Sequence, residues 1–361
     1  MDAHARQWLK VYNKIISSTV YRGPYLLWKK RTPFLGVLLI LAQLATPITA
    51  IVTYAAPLMN TQIGSSSTLD PVSNKASRLQ TQGATGVDSS TGALTYSYPL
   101  TLPAGRNNMA PTLALSYNSQ TTDSGWVGYG WLLSIPYIER VNKSGSEKLY
   151  TDSTFVSSLH GELTSLDGFN FEQKYDDGSY SKYSFAQSSW QMTDRDGTTY
   201  YFGNNPSARV QSDDGSKIGR WYLTSVRDKF GNGMTYTYTK DSGTVYPSSI
   251  SYTEHALAHS LNLVTFNLED KSDKLVSYKY NFKTTDTKRI SYIKVSTNGK
   301  DAIYFSFTYT NGSNGIRSLL SSIEEKRLGT NGDWMTLPKT IFEYEKSATT
   351  FSGIIQTSVN P

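Results

Sequence analysis

From about residue 87 onward, the chain is built of short runs in which aromatic or aliphatic residues alternate with Thr, Ser, Lys or Asn. Leu94, Tyr96 and Tyr98 share one face of such a run, as do Leu113, Leu115 and Tyr117, then Met234, Tyr236 and Tyr238. The same holds for Tyr278, Tyr280 and Phe282, and for Ile303, Phe305, Phe307 and Tyr309. A period of two puts successive side chains on opposite sides of a pleated strand, and polar alternates predict antiparallel sheets with one face toward water. Four Asp-Gly pairs, at 167, 177, 196 and 214, and five Asn-Gly pairs, at 232, 298, 311, 314 and 331, lie between or beside these runs. Such dipeptides supply the positive φ of tight hairpins, so the pattern predicts meanders. No apolar spacing of helical period persists beyond a couple of turns here, and 26 tyrosines suit pleated surfaces. The body is expected to be all-β, in antiparallel meandering sheets.

The N-terminal region follows a different rule. No charge occurs from Thr32 to Leu69, and residues 34–56 form an apolar stretch long enough for one hydrophobic helix of roughly 20 residues across a bilayer. The preceding Lys29-Lys30-Arg31 predicts a basic n-region, residues 1–33, left in the cytoplasm, with the body exported. Thr53-Tyr54-Ala55 offers small residues at the two positions a signal peptidase reads, so both a cleaved signal and an uncleaved membrane anchor through residues 34–56 are open. Residues 57–86, rich in Ser, Thr, Gln and Gly, read as a flexible linker, 87–346 as the β domain, and 347–361 as a truncated C-terminal extension. The expected location is secreted or anchored in the cytoplasmic membrane, with the body outside.

Charge changes the picture only once it is located. The formal net charge is +6, and residues 1–31 carry seven basic side chains against Asp2 alone. Beyond Arg31 the chain holds 28 basic and 28 acidic residues, which leaves no electrostatic case for nucleic acid. Without cysteine, thiol catalysis and thiolate metal sites are excluded, and an exported chain gains no disulfides.

Candidate chemistry is sparse. Gly125, Gly128 and Gly130 give G-x-x-G-x-G, but "WLLSIPYIERV" continues as strand, where a phosphate loop needs a helix N-terminus; a close-packed turn folding Trp126, Tyr129 and Trp131 over backbone is the better reading. The same aromatics could form a carbohydrate platform. His255 and His259 have a spacing that could bring two imidazoles together, yet Ala256 stands where a zincin has Glu, so no metal site is assigned. His160, near Glu162, lacks a serine elbow and is placed in a β-turn. "TDRDGTTYYFG" and "KYDDGSY" resemble fragments of calcium loops without the closing acid and read as hairpins. Glu343 and Glu345 have an E-x-E spacing found in ADP-ribosylating toxins, but two acids in an alternating strand share an exposed face by default. No catalytic residue, cofactor or metal is therefore assigned.

A more specific signal lies in residues 83–145. Thr91-Gly92-Ala93, Leu102-Pro103-Ala104-Gly105-Arg106, Ala110-Pro111 leading into Leu115-Ser116-Tyr117-Asn118-Ser119, Gly128, Gly130-Trp131 and Ile138-Glu139-Arg140 closely resemble, in order, the start of the SpvB-like domain. That family includes the B subunits of insecticidal toxin complexes, the Salmonella virulence plasmid B protein and many RHS/YD-repeat proteins. "WQMTDRDGTTYYFG", "RWYLTSVRDKFGNGMTYTYT" and "SLLSSIEE" with "LPKTIFEYE" extend the resemblance to roughly residues 83–346. The resemblance implies a strand-contributing scaffold of the RHS/SpvB shell type, any toxic activity residing in a separate C-terminal domain. It implies other segments or subunits of a toxin or RHS assembly as partners and structural roles for Gly92, Pro103, Gly105, Arg106, Pro111, Ser116, Tyr117, Gly128, Gly130, Trp131 and Arg140. Glycans are the alternative partner, through a surface adhesive module exposing Trp126 or Trp190, and an ADP-ribosylating enzyme is a distant third reading.

Overall fold

The computed structural model describes residues 83–255, 260–312 and 317–345. The expected n-region, hydrophobic helix, most of the linker and the C-terminal extension lie outside the described residues, as does His259. Among the described residues there is no α-helix, only strands and three short 3-10 turns, so the body is all-β. None of these elements is a helix long and apolar enough to cross a membrane.

A first antiparallel sheet contains β1 (Ala84–Val87), β2 (Leu94–Leu100) and β3 (Leu113–Asn118). A two-residue ladder of β4 (Ser124–Gly125) with β5 (Gly128–Tyr129) follows, and β6 (Trp131–Leu133) returns to pair with β3. Tyr96, Tyr117 and Trp131 fall in one cross-strand row. Phe342 and Tyr344 from the far end of the described chain pack on that row, with Trp131 and Phe342 ring centroids 4.8 Å apart. Such edge-on aromatic contacts add to the area they bury.

The chain then forms β7 (Tyr137–Arg140), β8 (Phe155–Ser157), β9 (Gly161–Ser165), β10 (Asn170–Gln173), β11 (Lys182–Ala186), β12 (Ser189–Thr193) and β13 (Thr199–Phe202). The short β14 (Arg209–Gln211) leads to β15 (Ile218–Arg227). Each strand from β7 to β13 pairs antiparallel with the next, β13 pairs with the second half of β15, and β15 pairs back onto β7, so the ladder closes on itself. The closing register sets Glu139 opposite Arg220 and Ile138 opposite Trp221. Inside, Phe155, Phe171, Phe185, Trp190 and Trp221 interlock edge to face at centroid spacings of 4.8 to 6.2 Å. Their volume fills the ring, which is a packed core and not a channel.

Strand β15 is also a branch point. Its first half carries β14 and β7, its second half β13 and β16 (Asn232–Asp241). From β16 a meander continues through β17 (Thr244–His255), β18 (Asn262–Ser277), β19 (Thr284–Thr297), β20 (Lys300–Asn311) and β21 (Ser318–Leu328), each pairing with its predecessor. Two short strands, β22 (Trp334–Thr336) and β23 (Thr340–Ile341), pair along β21. The apolar rows Met234-Tyr236-Tyr238 and Ile303-Phe305-Phe307 are buried as the alternation requires.

Three of the four Asp-Gly pairs lie between ring strands and the fourth, Asp214-Gly215, between β14 and β15, while Asn298-Gly299 makes the β19–β20 turn with φ of 52° and 73°. Two expectations need correction. Asn232-Gly233 is not a turn: both residues lie in β16, because the preceding Asp228 carboxylate accepts from the Phe230 and Asn232 amides and Gly231, at φ 84°, makes the turn instead. Tyr278, Tyr280 and Phe282 are not a strand either, but the turn between β18 and β19. Tertiary bonds hold it to the ring region: the Tyr280 hydroxyl donates to Glu139 at 2.6 Å and its carbonyl accepts from Tyr150 at 2.6 Å.

Candidate functional site

The stretch "GWVGYGWLL" is a fastening. Trp126 lies at the tip of the β4–β5 hairpin, donates its indole N–H to the Val245 carbonyl at 2.9 Å, accepts from the Ile290 amide at 2.8 Å through its own carbonyl, and packs on Tyr222. Gly128, at φ 99°, has no room for a side chain: a β-carbon would stand 2.9 Å from the Ser318 carbonyl. Gly130, at φ 79°, lies against Tyr117, where a β-carbon would be 2.7 Å from Cε2. Trp131 is buried and donates to the Tyr344 hydroxyl at 2.8 Å, which in turn donates to the Leu320 carbonyl at 2.8 Å. No helix follows to present amides to a phosphate. Trp190, the other aromatic of the adhesive reading, is 1% exposed inside the ring.

The remaining family-motif residues are dispersed. Gly92 takes φ 71° in the turn closed by Asp88. The Pro103 carbonyl accepts from the Tyr252 hydroxyl at 3.0 Å, tying the loop after β2 to β17. Gly105 allows the chain to double back, since a β-carbon there would overlap the Met109 carbonyl. Arg106 is exposed at the following 3-10 turn, Pro111 is buried, and Ser116 faces outward from β3 beside the inward Tyr117.

Arg140 is the unusual member. Its guanidinium lies 4.7 Å from the Phe155 ring centre and 5.8 Å from that of Trp221, and it donates to the carbonyls of Ile218, Leu149 and Asp152. No carboxylate pairs with it among the described residues; carbonyl dipoles and ring faces hold the cation, and burial lowers its proton affinity. Its neighbour Glu139 receives Arg220 at 2.6 Å, Lys279 at 3.0 Å and the Tyr280 hydroxyl on one oxygen. Burial pushes this carboxyl up, but the two cations and the phenol together hold it below the usual carboxylate range. Sequence reasoning missed this cluster, whose members come from β7, β15 and the β18–β19 turn. A second such tie joins Lys271, buried at the bulge in β18, to Asp286 and, at 3.1 Å, to Ser124 beside the Trp126 hairpin.

Among the described residues the candidate catalytic groups do not converge. His160 lies in the β8–β9 turn with Nδ1 2.5 Å from the Tyr183 hydroxyl, which donates to Ser157 at 3.0 Å. Burial lowers the imidazole's proton affinity, with Asp177 acting the other way. Ser157 is 1% exposed, so this chain of hydroxyls ends inside the wall. Glu162 pairs with Lys143 and Lys174 on the surface. His255 ends β17, and its spacing partner His259 lies outside the described residues. Asp194 and Asp196 share the β12–β13 turn, where Asp194 accepts from the Thr198 amide at 2.9 Å. Glu343 and Glu345 are exposed, with Phe342 and Tyr344 inward, as alternation implies, but they follow β23 in unpaired backbone and not in a strand, because pairing with β21 stops at Ile341. Among the described residues no group of three or more His, Asp or Glu side chains is placed to hold a metal ion.

Comparison with known proteins agrees with this architecture. The family model described as SpvB, Salmonella virulence plasmid 65kDa B protein, matches residues 88–185 and 178–309. The crystal structure of TcdB2-TccC3 superposes with a TM-score of 0.60 at 17% identity, over 71% of this chain and 16% of the other. The Photorhabdus luminescens Tc holotoxin pore gives 0.61 at 17% identity, over 73% and 16%. The N-terminal domain of effector protein SpvB from Salmonella typhimurium gives 0.49 at 16% identity, over 69% of this chain and 99% of that one. The chain thus spans about a sixth of the length of the two toxin-complex chains it matches. None of the curated proteins compared matches it. With the family model spanning more than half of its length, the chain belongs to the SpvB family, and its body shares its β fold with the two toxin-complex structures.

Proposed function

We propose that the protein is a non-enzymatic, exported β scaffold of a toxin or RHS-type assembly, packing against other segments or subunits of that assembly. The observation that carries this reading is the use of its polar side chains. His160, Glu139, Arg140, Arg220 and Lys271 each join one strand or turn to another, and among the described residues none of them meets a second reactive group in a cleft. Two toxin-assembly structures share the fold, one described as TcdB2 with TccC3, and this is the kind of partnership we extend to this chain. The hydrophobic stretch at 34–56 supports export of the body.

The reading is tested with the full chain. Incubation with labelled NAD and with panels of ester, peptide and glycoside substrates should give no turnover; activity lost in His160→Ala or Glu343→Ala would overturn it. Cross-linking in intact producing cells should join Lys326 and Lys339, beside β22 and β23, to other toxin-type polypeptide, and protease added outside should reach the body. A body protected in intact cells would remove the exported part of the proposal.

A further inference from the structure

A groove of about 390 Å³ lies across the outer face of β11, β12 and β13. Register builds its floor: Ser184 pairs with Gln191 and Gln191 with Tyr201, giving one cross-strand row, while the alternate residues Tyr183, Trp190 and Met192 belong to the buried core. The β11–β12 turn brings in Gln187 at φ 49°. The loop after β13 brings in Asn204 and leads to Arg209 at the start of β14, and in that loop Gly203, at φ 66°, folds onto Trp221 so closely that a β-carbon would overlap the indole.

What distinguishes the groove is polar capacity the fold does not use. The side chains of Ser184, Gln187, Gln191 and Asn204 and the Tyr201 hydroxyl make no hydrogen bond within the described residues. Arg209 engages only Nε, with the Gly203 carbonyl at 2.6 Å, and no described carboxylate pairs with it. No acid lines the groove, and the nearby Lys240 adds a second positive charge. Two free guanidinium nitrogens suit a carboxylate, amides and hydroxyls suit vicinal hydroxyl groups, and a tyrosine supplies apolar surface. The volume falls in the range of roughly 300–1,000 Å³ usual for small-ligand clefts.

We propose that this groove binds a single carboxylate-bearing sugar residue of the uronic acid class, with Arg209 on the carboxylate and Gln191, Gln187 and Asn204 on the hydroxyls. The site is separate from Trp126, has the buried Trp190 in its floor, and does not depend on the scaffold reading.

The test titrates the full chain in detergent with methyl glucuronide, methyl glucoside and acetate, followed by saturation-transfer NMR. A dissociation constant on the order of 1 mM is expected for the glucuronide, with the glucoside and acetate each weaker by about tenfold or more. Arg209→Gln should weaken glucuronide about tenfold and leave glucoside unchanged. If Arg209→Gln does not fold, Gln191→Ala, at an exposed position, should weaken the glucuronide several-fold with an unaltered melting temperature. Acetate binding as tightly as glucuronide, equal affinity for the neutral sugar, no saturation by about 20 mM, or unchanged affinity in both variants would overturn the proposal.

Discussion

The ring of Tyr280 lies directly against the α-carbon of Gly219, leaving no space for even a methyl group. This places the β18–β19 turn on β15, with the Tyr280 hydroxyl reaching Glu139 beyond it. Gly219→Ala should therefore destabilise the body by about 1–3 kcal/mol through overpacking. In the Tyr280→Ala background the same substitution should cost much less, and a denaturant double-mutant cycle reads the coupling. Additive effects would show that the ring does not rest there.

Trp190 fills the centre of the closed ring among Phe155, Phe171 and Phe185. Trp190→Ala should cost about 3–5 kcal/mol, the usual range for a large aromatic lost from a core. A shift in the urea midpoint with an unchanged slope is the expected signature.

Tyr344→Phe removes the hydroxyl that links Trp131 to the Leu320 carbonyl. The indole N–H and the carbonyl are both left without that partner, so a loss of about 1–3 kcal/mol is expected. Thermal unfolding measures it, and an unchanged midpoint would mean that water replaces the link.

Gly128 combines a left-handed φ of 99° with a close approach to Ser318. Gly128→Val should destabilise by about 3 kcal/mol or more, since strain and overlap act together. Gly92 shares the φ requirement but faces open space, so Gly92→Ala should cost only about 1 kcal/mol.

Asp194 is pushed up to about 6 by burial and by the adjacent Asp196 carboxyl. Between the ordinary value of 3.8 and about 6 the folded chain keeps a proton that the unfolded chain has released, so stability falls as pH rises through that window. Asp196, lowered by its hydrogen bond with Asp194, acts in the opposite sense at lower pH. Asp194→Asn should flatten the decline across the window. Parallel pH profiles for the two proteins would contradict this account.

What could be read in advance was whatever the chain encodes locally. Met234-Tyr236-Tyr238 and Ile303-Phe305-Phe307 announced their strands because alternation and burial coincide. Tyr278, Tyr280 and Phe282 show the same alternation and form a turn, since the position of Tyr280 is decided by Gly219 and Glu139, far away in sequence. Asn232-Gly233 likewise lost its turn to Asp228, whose carboxylate acts four residues earlier. Closure of the ring, the seating of Arg140 among aromatic faces and the groove at Arg209 left no local trace, because each is assembled by register between distant strands. Ordered glycines and a tryptophan between Gly92 and Trp131 still marked the family, since close backbone approach restricts which residues fit.

The pairing of Glu139 with Arg220 sits at the seam where the ring shuts, and 81 residues separate them. Everything between must emerge and order before that seam can form, and until then β7 offers a bare row of amides and carbonyls to any passing strand. Synthesis of this polypeptide thus includes an interval of vulnerability to mispairing, the kind of interval in which a holding chaperone is most useful.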